Sequence, residues 1–556
     1  MNLRPTLTGC QAVPFQRRYT PLPMSKSWVL VLLAACGSAA LIIYARTADA
    51  AFAPAGDIAL IETYTIHATH GELLLGPYSR YGWNHPGPLY FYVQAPFYVM
   101  SGYRSAGLSA GALAINLSAL GILVWVCFLA AGPGFLSIAT AASAVLFAAQ
   151  SLDMLASQWN PHVLVLPTMA IVVVAAAISA GWFRLLPVLA ALASFVVQTH
   201  LGLAPAVLAV SGAATAMLVV RAMVLRFDDS TVRIWPILIG TLGLAVLLWI
   251  LPLAQELSQR EGNLTQLWMF FGSGGDRPGQ PWRISFRTWA DMISALLRGD
   301  IHVAWGGRYR PVAGPVSQSW AIVETIIVAG IAAWSVFRKE PFRAALAATT
   351  LVASFVGLWS ITQIDDELYD HLVFWLGGIG ALQLGLIGDA VVRVVLRANR
   401  PVPARLAAAA CVLLFGVAVA AGVQDLRVIV SRSFRPGLEQ LSTRRLADWI
   451  VPKLEATVDH PLVTIDQPVW AIAAGVLLQL QKRGFAFSVE EGWWFMFGPP
   501  ARPDGDLTHA DKLIFAGPEL RFRLKSHPGV ETLGERDSVS IFLERPSTSL
   551  GPGSQP

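Results

Sequence analysis

Asp57–Tyr98 reads DIALIETYTIHATHGELLLGPYSRYGWNHPGPLYFYVQAPFY. It gathers acids, histidines, an arginine, aromatics and prolines in a chain that is otherwise mostly apolar. Asp57 and Glu62 open it, five residues apart, which on a helix sets them about 140° off a common face. The block Gly76-Pro77-Tyr78-Ser79-Arg80-Tyr81-Gly82-Trp83-Asn84-His85-Pro86 cannot be a regular helix, because its prolines break the backbone pattern. Pro88 to Ser101 is apolar and aromatic but only fourteen residues long. That is short for a membrane span and suits a helix lying at the membrane surface. Tyr90, Tyr92, Phe97 and Tyr98 are the residue types expected at headgroup level.

The surroundings set the class. The chain has 556 residues, 55% hydrophobic and only 13% charged. Soluble domains carry about 25% charged residues. Uncharged runs near the roughly twenty residues of a spanning helix recur along the chain, so this is a multi-pass membrane protein. The net charge of +5 reflects arginines in the connections between spans and not a nucleic-acid surface. Cys10, Cys36, Cys127 and Cys411 form no disulfide framework and no zinc pattern.

Residues 1–27 hold Arg4, Arg17, Arg18 and Lys26 and no acid, which predicts a cytoplasmic N-terminal tail. The first apolar run, 28–45, reads as a retained anchor. Ala48-Asp49-Ala50 resembles a signal-peptide cleavage site, but the apolar core is long for that role. A first outer loop follows over 46–106. Further spans are expected at 107–130, 135–151, 162–180, 184–199, 202–220 and 234–254. A long polar outer loop covers 255–317, and spans at 319–337, 343–361, 371–391 and 405–423 bring the total to about eleven.

The charges agree with this count. Alternate connections hold Arg184; Arg221, Arg226 and Arg233; Arg338, Lys339 and Arg343; and Arg393, Arg397, Arg400 and Arg405. The turns between them hold no Lys or Arg but do hold Asp153, Asp365, Asp366, Glu367 and Asp370. The bias puts both long loops and the C-terminal part on one outer side.

From Gln424 the composition changes. PLVTID, VWAIAAGVLLQLQKRG and FAFSV read as a β-α-β unit, and KLIFAG and SVSIFLER as further strands. The segment 424–545 is thus expected to be a small extracytoplasmic α/β domain, without a phosphate-binding glycine fingerprint, and 546–556 a disordered tail. The sequons at Asn116 and Asn263 are discounted, the first because it lies within a span.

At the opening stretch the chain resembles the GT-C class of membrane glycosyltransferases. The protein O-mannosyltransferases and the lipid A aminoarabinose transferases are the nearest look-alikes. Those families carry an acidic motif just after the first span and a His/Lys-Pro-Pro-Leu-Tyr-Tyr type motif before the second. The counterparts here are Asp57 with Glu62, and His85-Pro86-Gly87-Pro88-Leu89-Tyr90. The resemblance covers the N-terminal half, and the rest only in topology. It implies a GT-C-like helical fold, a polyprenyl-phosphate-linked sugar donor, a glycan, lipid or protein acceptor, and Asp57 as catalytic base. Such chemistry needs a carboxylate to take the acceptor proton, cationic or N–H groups to hold the leaving phosphate, and an apolar surface for the lipid.

Two features depart from the families. Their adjacent Asp-Glu is Asp57-Ile58 here, with the glutamate displaced to Glu62. Their second acidic site corresponds to Ser151–Pro161, where either Asp153 fills it or Asn160 has replaced it. A divalent metal is therefore left open.

The candidate residues are Asp57 and Glu62 for catalysis, and Arg80, His85 and Tyr90 for the donor phosphate and lipid. Asp153, Trp159, Asn160, Gln198, His200 and Glu324 form a second polar set. Each has a plainer reading. Asp57 can cap a helix, Arg80 can snorkel to headgroups, His85 can order a turn, and Trp159 and Asn160 can anchor and cap at the interface. Glu62 can be a solvated loop acid, while His67 and His70, and Arg308 and Arg310, read as solvated surface rather than as site residues. Gln198 and His200 end a span, and Glu324 lies inside one, where a charge is expensive. The rival function is a transporter or flippase for a lipid-linked or polar solute, and a third reading is a structural membrane subunit. A transporter would show ionisable residues along its spans and matched broken halves.

Overall fold

The computed structural model describes residues 53–150, 152–225, 234–272, 278–294, 308–309, 315–365, 367–397, 438–503, 505 and 510–546. The spans expected at 28–45 and 405–423 lie outside them. The opening stretch forms helix α1 (Gly56–Thr69), an irregular hairpin and helix α2 (Leu89–Met100). Helices α3 (Ala106–Gln150), α4 (Val165–Ser179), α5 (Leu186–Thr199) and α6 (Ala204–Leu225) follow. Next come α7 (Ile234–Ser258), α8 (Asn263–Gly272), α9 (Trp282–Ile293), α10 (Pro315–Phe337), α11 (Pro341–Thr362) and α12 (Leu376–Arg397). Among the described residues, six helices are long and apolar enough to cross a membrane, with shorter apolar helices at Phe183–Thr199 and Leu376–Val391.

The helix Asn160–Ser179 is the hub: its apolar window is 100% buried, whereas only 6% of the Ile234–Ser258 window is. Helix α4 packs against α3, α5, α6, α11 and α12. A helix that is apolar all round and also buried must be surrounded by other helices. Helix α7 is equally apolar, and its exposed Trp235, Ile239, Leu242 and Leu247 form a surface suited to lipid.

The stretch expected to hold the spans 107–130 and 135–151 is helical from Ala106 to Gln150, and it is not straight. Asn116 Nδ2 donates to the Leu155 carbonyl at 2.9 Å and Ser109 Oγ meets Gln158 Oε1 at 2.9 Å, whereas a straight helix would carry Gln150 about 50 Å from Asn116. The chain therefore folds back within α3. The polar stretch 255–317 differs from expectation in being more ordered than a loop. Helix α8 lies within it, and α9 buries Thr288, Trp289, Ala290, Asp291 and Ile293 against α10, α11 and α12.

The C-terminal part is a sheet flanked by α13 (Leu438–Thr457) and α14 (Trp470–Lys482), with the short helix Pro518–Leu524 packed on β3 and β5. Strands β1 (Leu462–Ile465), β2 (Ser488–Val489), β3 (Lys512–Ala516), β4 (Val530–Arg536) and β5 (Val539–Glu544) lie in the order β2-β1-β3-β5-β4. The expected β-α-β unit is present, since β1 pairs in parallel with both β2 and β3. FAFSV contributes only Ser488–Val489, and β4 is an additional strand. Helix α14 is buried from Ala471 to Leu478 without a break. It is apolar on all sides because it packs against α13 and the sheet domain on one side and α1 on the other. Gly475 makes the close approach: a Cβ there would stand 2.3 Å from the Pro54 carbonyl oxygen. The C-terminal domain thus holds the membrane-domain helix that carries Asp57.

Candidate active site

Helix α1 starts at Gly56, which has φ +56°, a left-handed conformation that favours glycine. Asp57 lies in the first turn, where the helix dipole favours a carboxylate, and its side chain makes no capping bond. Both carboxylate oxygens are held instead. The Tyr78 hydroxyl donates to Oδ1, and Trp159 Nε1 donates to Oδ2 at 2.9 Å. Burial, and then the neighbouring Asp57 charge, hold the Tyr78 phenol well above its usual range, so it stays a donor. A carboxylate offers about four lone-pair sites, so two remain for a substrate.

Tyr78 is placed by a small hairpin. His85 N–H donates to the Pro77 carbonyl at 2.8 Å, Ser79 N–H donates to Trp83 at 2.9 Å, and Gly82 turns the chain with φ +85°. Asn263 ties the hairpin to α8. It accepts the Asn84 N–H at 3.0 Å and donates to the Asn84 carbonyl at 2.9 Å. Asn263 is buried.

Asp57, Tyr78, Trp159 and Asn160 line one cavity of about 1380 Å³ together with Arg80, Trp83, His85, His200 and His371. The His85 and His200 rings lie with centroids 4.7 Å apart, tilted by 33°, and His371 lies 5.2 Å from Trp159, centroid to centroid. His85 Nδ1 accepts the Leu201 N–H at 3.1 Å, which places its proton on Nε2. Burial first, and then the neighbouring histidines, hold His85 well below its usual value. Burial, and then His371, push His200 down to about 3. These two rings are therefore neutral N–H donors near pH 7, and the charge comes from Arg80. Its Nη2 donates to the Asp365 carbonyl at 3.1 Å, and its guanidinium covers the Tyr81 and Tyr369 rings at 4.9 Å each. Trp83 Nε1 is buried with no hydrogen-bond partner among the described residues. A buried N–H left unbonded is costly unless something binds there.

Glu62, Tyr90, Gln198 and Glu324 do not line this cavity. Glu62 is fully buried away from the cavity, bonded by Tyr98 Oη at 2.8 Å and Lys482 Nζ at 2.5 Å. Tyr90 is buried, with its hydroxyl donating to the Gln158 carbonyl and accepting from Gln94 at 2.9 Å. Gln198 is buried and donates to the Leu248 carbonyl at 2.8 Å. Glu324 is buried on α10, with no hydrogen-bond partner among the described residues. Asn160 Nδ2 donates to the Thr199 carbonyl at 3.3 Å. Asp153 sits in the turn Leu152–Ala156, and its side chain lies outside the described ones. His67 meets Gln481 at 3.0 Å, Arg308 pairs with Glu367, and Arg310 lies outside the described residues. Among the described residues, no group of three His, Cys, Asp or Glu side chains could hold a metal ion. Tyr78, Trp83, His371 and the Glu62 partner Lys482 are the residues that sequence did not single out. The first two stand in the opening stretch, where the sole signal is their nearness to His85. The other two come from distant segments and leave none.

A hub of buried helices, a helix opening on a held carboxylate and an α/β domain packed on that helix belong to a multi-pass membrane protein. Its fold is similar to that of ArnT. The crystal structure of ArnT from Cupriavidus metallidurans bound to undecaprenyl phosphate aligns with 96% of this chain and 100% of its own, at a TM-score of 0.52 and 15% identity. ArnT from the same organism in the apo state aligns over 93% of this chain and 98% of its own, at a TM-score of 0.48 and 14% identity. No family model and no curated protein sequence matches the chain.

Proposed function

We propose that this chain is a glycosyltransferase that moves a sugar from a polyprenyl-phosphate donor to a hydroxyl-bearing acceptor at the outer face of a bacterial-type inner membrane. The observation that carries this reading is the pairing within one cavity of a doubly held carboxylate, Asp57, with neutral N–H donors and one cation. The ArnT structure of the same fold was solved with undecaprenyl phosphate bound, which supports a lipid phosphate as the donor's leaving group.

In this mechanism Asp57 takes the acceptor O–H proton. The acceptor oxygen forms its bond to the anomeric carbon as the carbon–oxygen bond to phosphate breaks. The electron pair leaves with the polyprenyl phosphate. Attack from the Asp57 side, opposite the phosphate, inverts the anomeric centre. Arg80, His85 Nε2–H and Trp83 Nε1–H receive the phosphate oxygens, and such oriented donors act on charge without reorganising. The acceptor is a glycan, lipid or protein, the sugar a hexose or pentose, and a bilayer lipid surface completes the donor site. The transporter alternative draws on Glu324 alone.

The test is binding of undecaprenyl phosphate to the purified protein. Arg80→Ala and His85→Ala are each expected to weaken it about tenfold, the scale of one charge-assisted hydrogen bond. Equal affinity in the wild type and both variants would remove these residues from the donor site. No affinity in the wild type would remove the whole reading.

A further inference from the structure

We propose that Lys482 is a positioning residue for transfer, and that through it the C-terminal domain is a working part of the active site. The inference rests on the glycosyltransferase reading and deepens it.

Glu62 is 0% exposed and has one ammonium partner, Lys482 Nζ at 2.5 Å, beside the Tyr98 hydroxyl at 2.8 Å. Its second oxygen, Oε2, has no partner among the described residues. A carboxylate buried this fully depends on its counter-charge, because removing one member of a buried pair strands the other. Lys482 belongs to the last turn of α14, in the C-terminal domain, and is 420 residues from Glu62 in sequence. The pair is therefore a bolt between two parts of the fold and not a local helix contact.

The bolt bears on Asp57 through α1. Asp57 is five residues before Glu62 on the same helix, about 7.5 Å along its axis, and the two side chains point about 140° apart. A helix transmits displacement along its length because its backbone bonds keep it stiff. The same α14 that carries Lys482 touches the other end of α1. A Cβ on Gly56 would lie 3.4 Å from both Ala471 Cβ and Trp470 Cη2. Farther along the domain, the Phe495 ring packs edge-on to Tyr78 at 6.1 Å, and Tyr78 is one of the two donors that hold Asp57. One of the two holders of the base and the helix that carries it are thus both backed by the C-terminal domain. Lys482 itself does not line the cavity, so it acts through Glu62 and never on the reacting atoms. Displacing a catalytic group by 1 Å can lower a rate about 10²-fold.

The experiment uses the full chain in lipid nanodiscs. It measures undecaprenyl phosphate affinity, thermal stability, and undecaprenyl phosphate release from a panel of undecaprenyl-phosphate-linked hexoses and pentoses with membrane lipid extract as acceptor. Lys482→Met is expected to lower kcat at least tenfold while leaving undecaprenyl phosphate affinity within twofold. Lys482→Arg is expected to regain most of kcat. The double variant Glu62→Gln/Lys482→Met strands no charge. It is expected to regain thermal stability but not kcat, and it carries the test if the single variant fails to fold. Unchanged kcat in Lys482→Met, or kcat recovering with stability in the double variant, would overturn the positioning role and leave the transferase reading intact. A wild type that binds no undecaprenyl phosphate and releases none would overturn both.

Discussion

Asp57 is the base of the proposed mechanism, and its two holders make a clean substitution available. In Asp57→Asn the amide oxygen can face Trp159 Nε1–H, while the amide N–H₂ can donate to the Tyr78 hydroxyl, which rotates to accept. The hydrogen bonds and shape survive, but the basicity does not. We expect transfer to fall by about 10²- to 10⁴-fold, the usual contribution of a general base, with the thermal midpoint unchanged. Full activity in this variant would show that Asp57 is not the base. The histidines give a second expectation at this scale. His200 is pushed from 6.5 down to about 3, so between these values the unfolded chain binds a proton that the folded protein refuses. Stability from this group is thus complete above about pH 6.5 and declines as pH falls towards 3. The decline is about 1.4 kcal/mol per pH unit at its steepest. Thermal midpoints recorded from pH 7.5 to 4 should fall less steeply in His200→Asn than in the wild type. Parallel curves would show that His200 already titrates normally in the fold.

Among the elements, α14 has the most demanding surroundings. Its run of buried residues from Ala471 to Leu478 is readable as a helix from its length and apolar content. That both of its sides are covered follows from the same fact, because no face is left for water. Which element covers the second side is not readable, and the answer, α1, is the helix that bears Asp57. Gly475 is the tightest point of that contact, 2.3 Å from Pro54 O and 2.4 Å from Thr443 Cγ2 for an added Cβ. Gly475→Ala must therefore push backbone away, at about 1–3 kcal/mol for an overpacked site. Because Pro54 is three residues from Asp57, we expect a lower thermal midpoint accompanied by slower transfer. A variant that melts normally and transfers normally would show that α14 and α1 move apart without cost. The hairpin between α1 and α2 shows the opposite balance. Its prolines and Gly82 made its irregularity plain, but its pairing with Asn263 leaves no local trace.

For the whole molecule, the arginine bias predicts the N-terminus and the connection at Arg226 on the cytoplasmic side, and the end of the C-terminal domain on the other. Reporter fusions after Arg226 and after Arg545 should read inside and outside respectively, and the reverse pattern would overturn the orientation. What the sequence alone determined is the membrane class and the small α/β unit at the end, and it singled out Asp57, Arg80, His85, Trp159, Asn160 and His200, which line one cavity. Those readings depend on properties carried along the chain: apolar length, period, the sign of loop charges and the company a residue keeps. Tertiary structure decided the rest. It buried Glu62 beside Lys482, and it left Glu62, Tyr90, Gln198 and Glu324 outside the cavity lining. It also brought His371 beside Trp159 and laid α14 along α1. A buried carboxylate needs a counter-charge wherever one comes within reach, and a cavity is walled by whichever segments pack around it. Both are set by proximity in space between segments hundreds of residues apart, which no local pattern records.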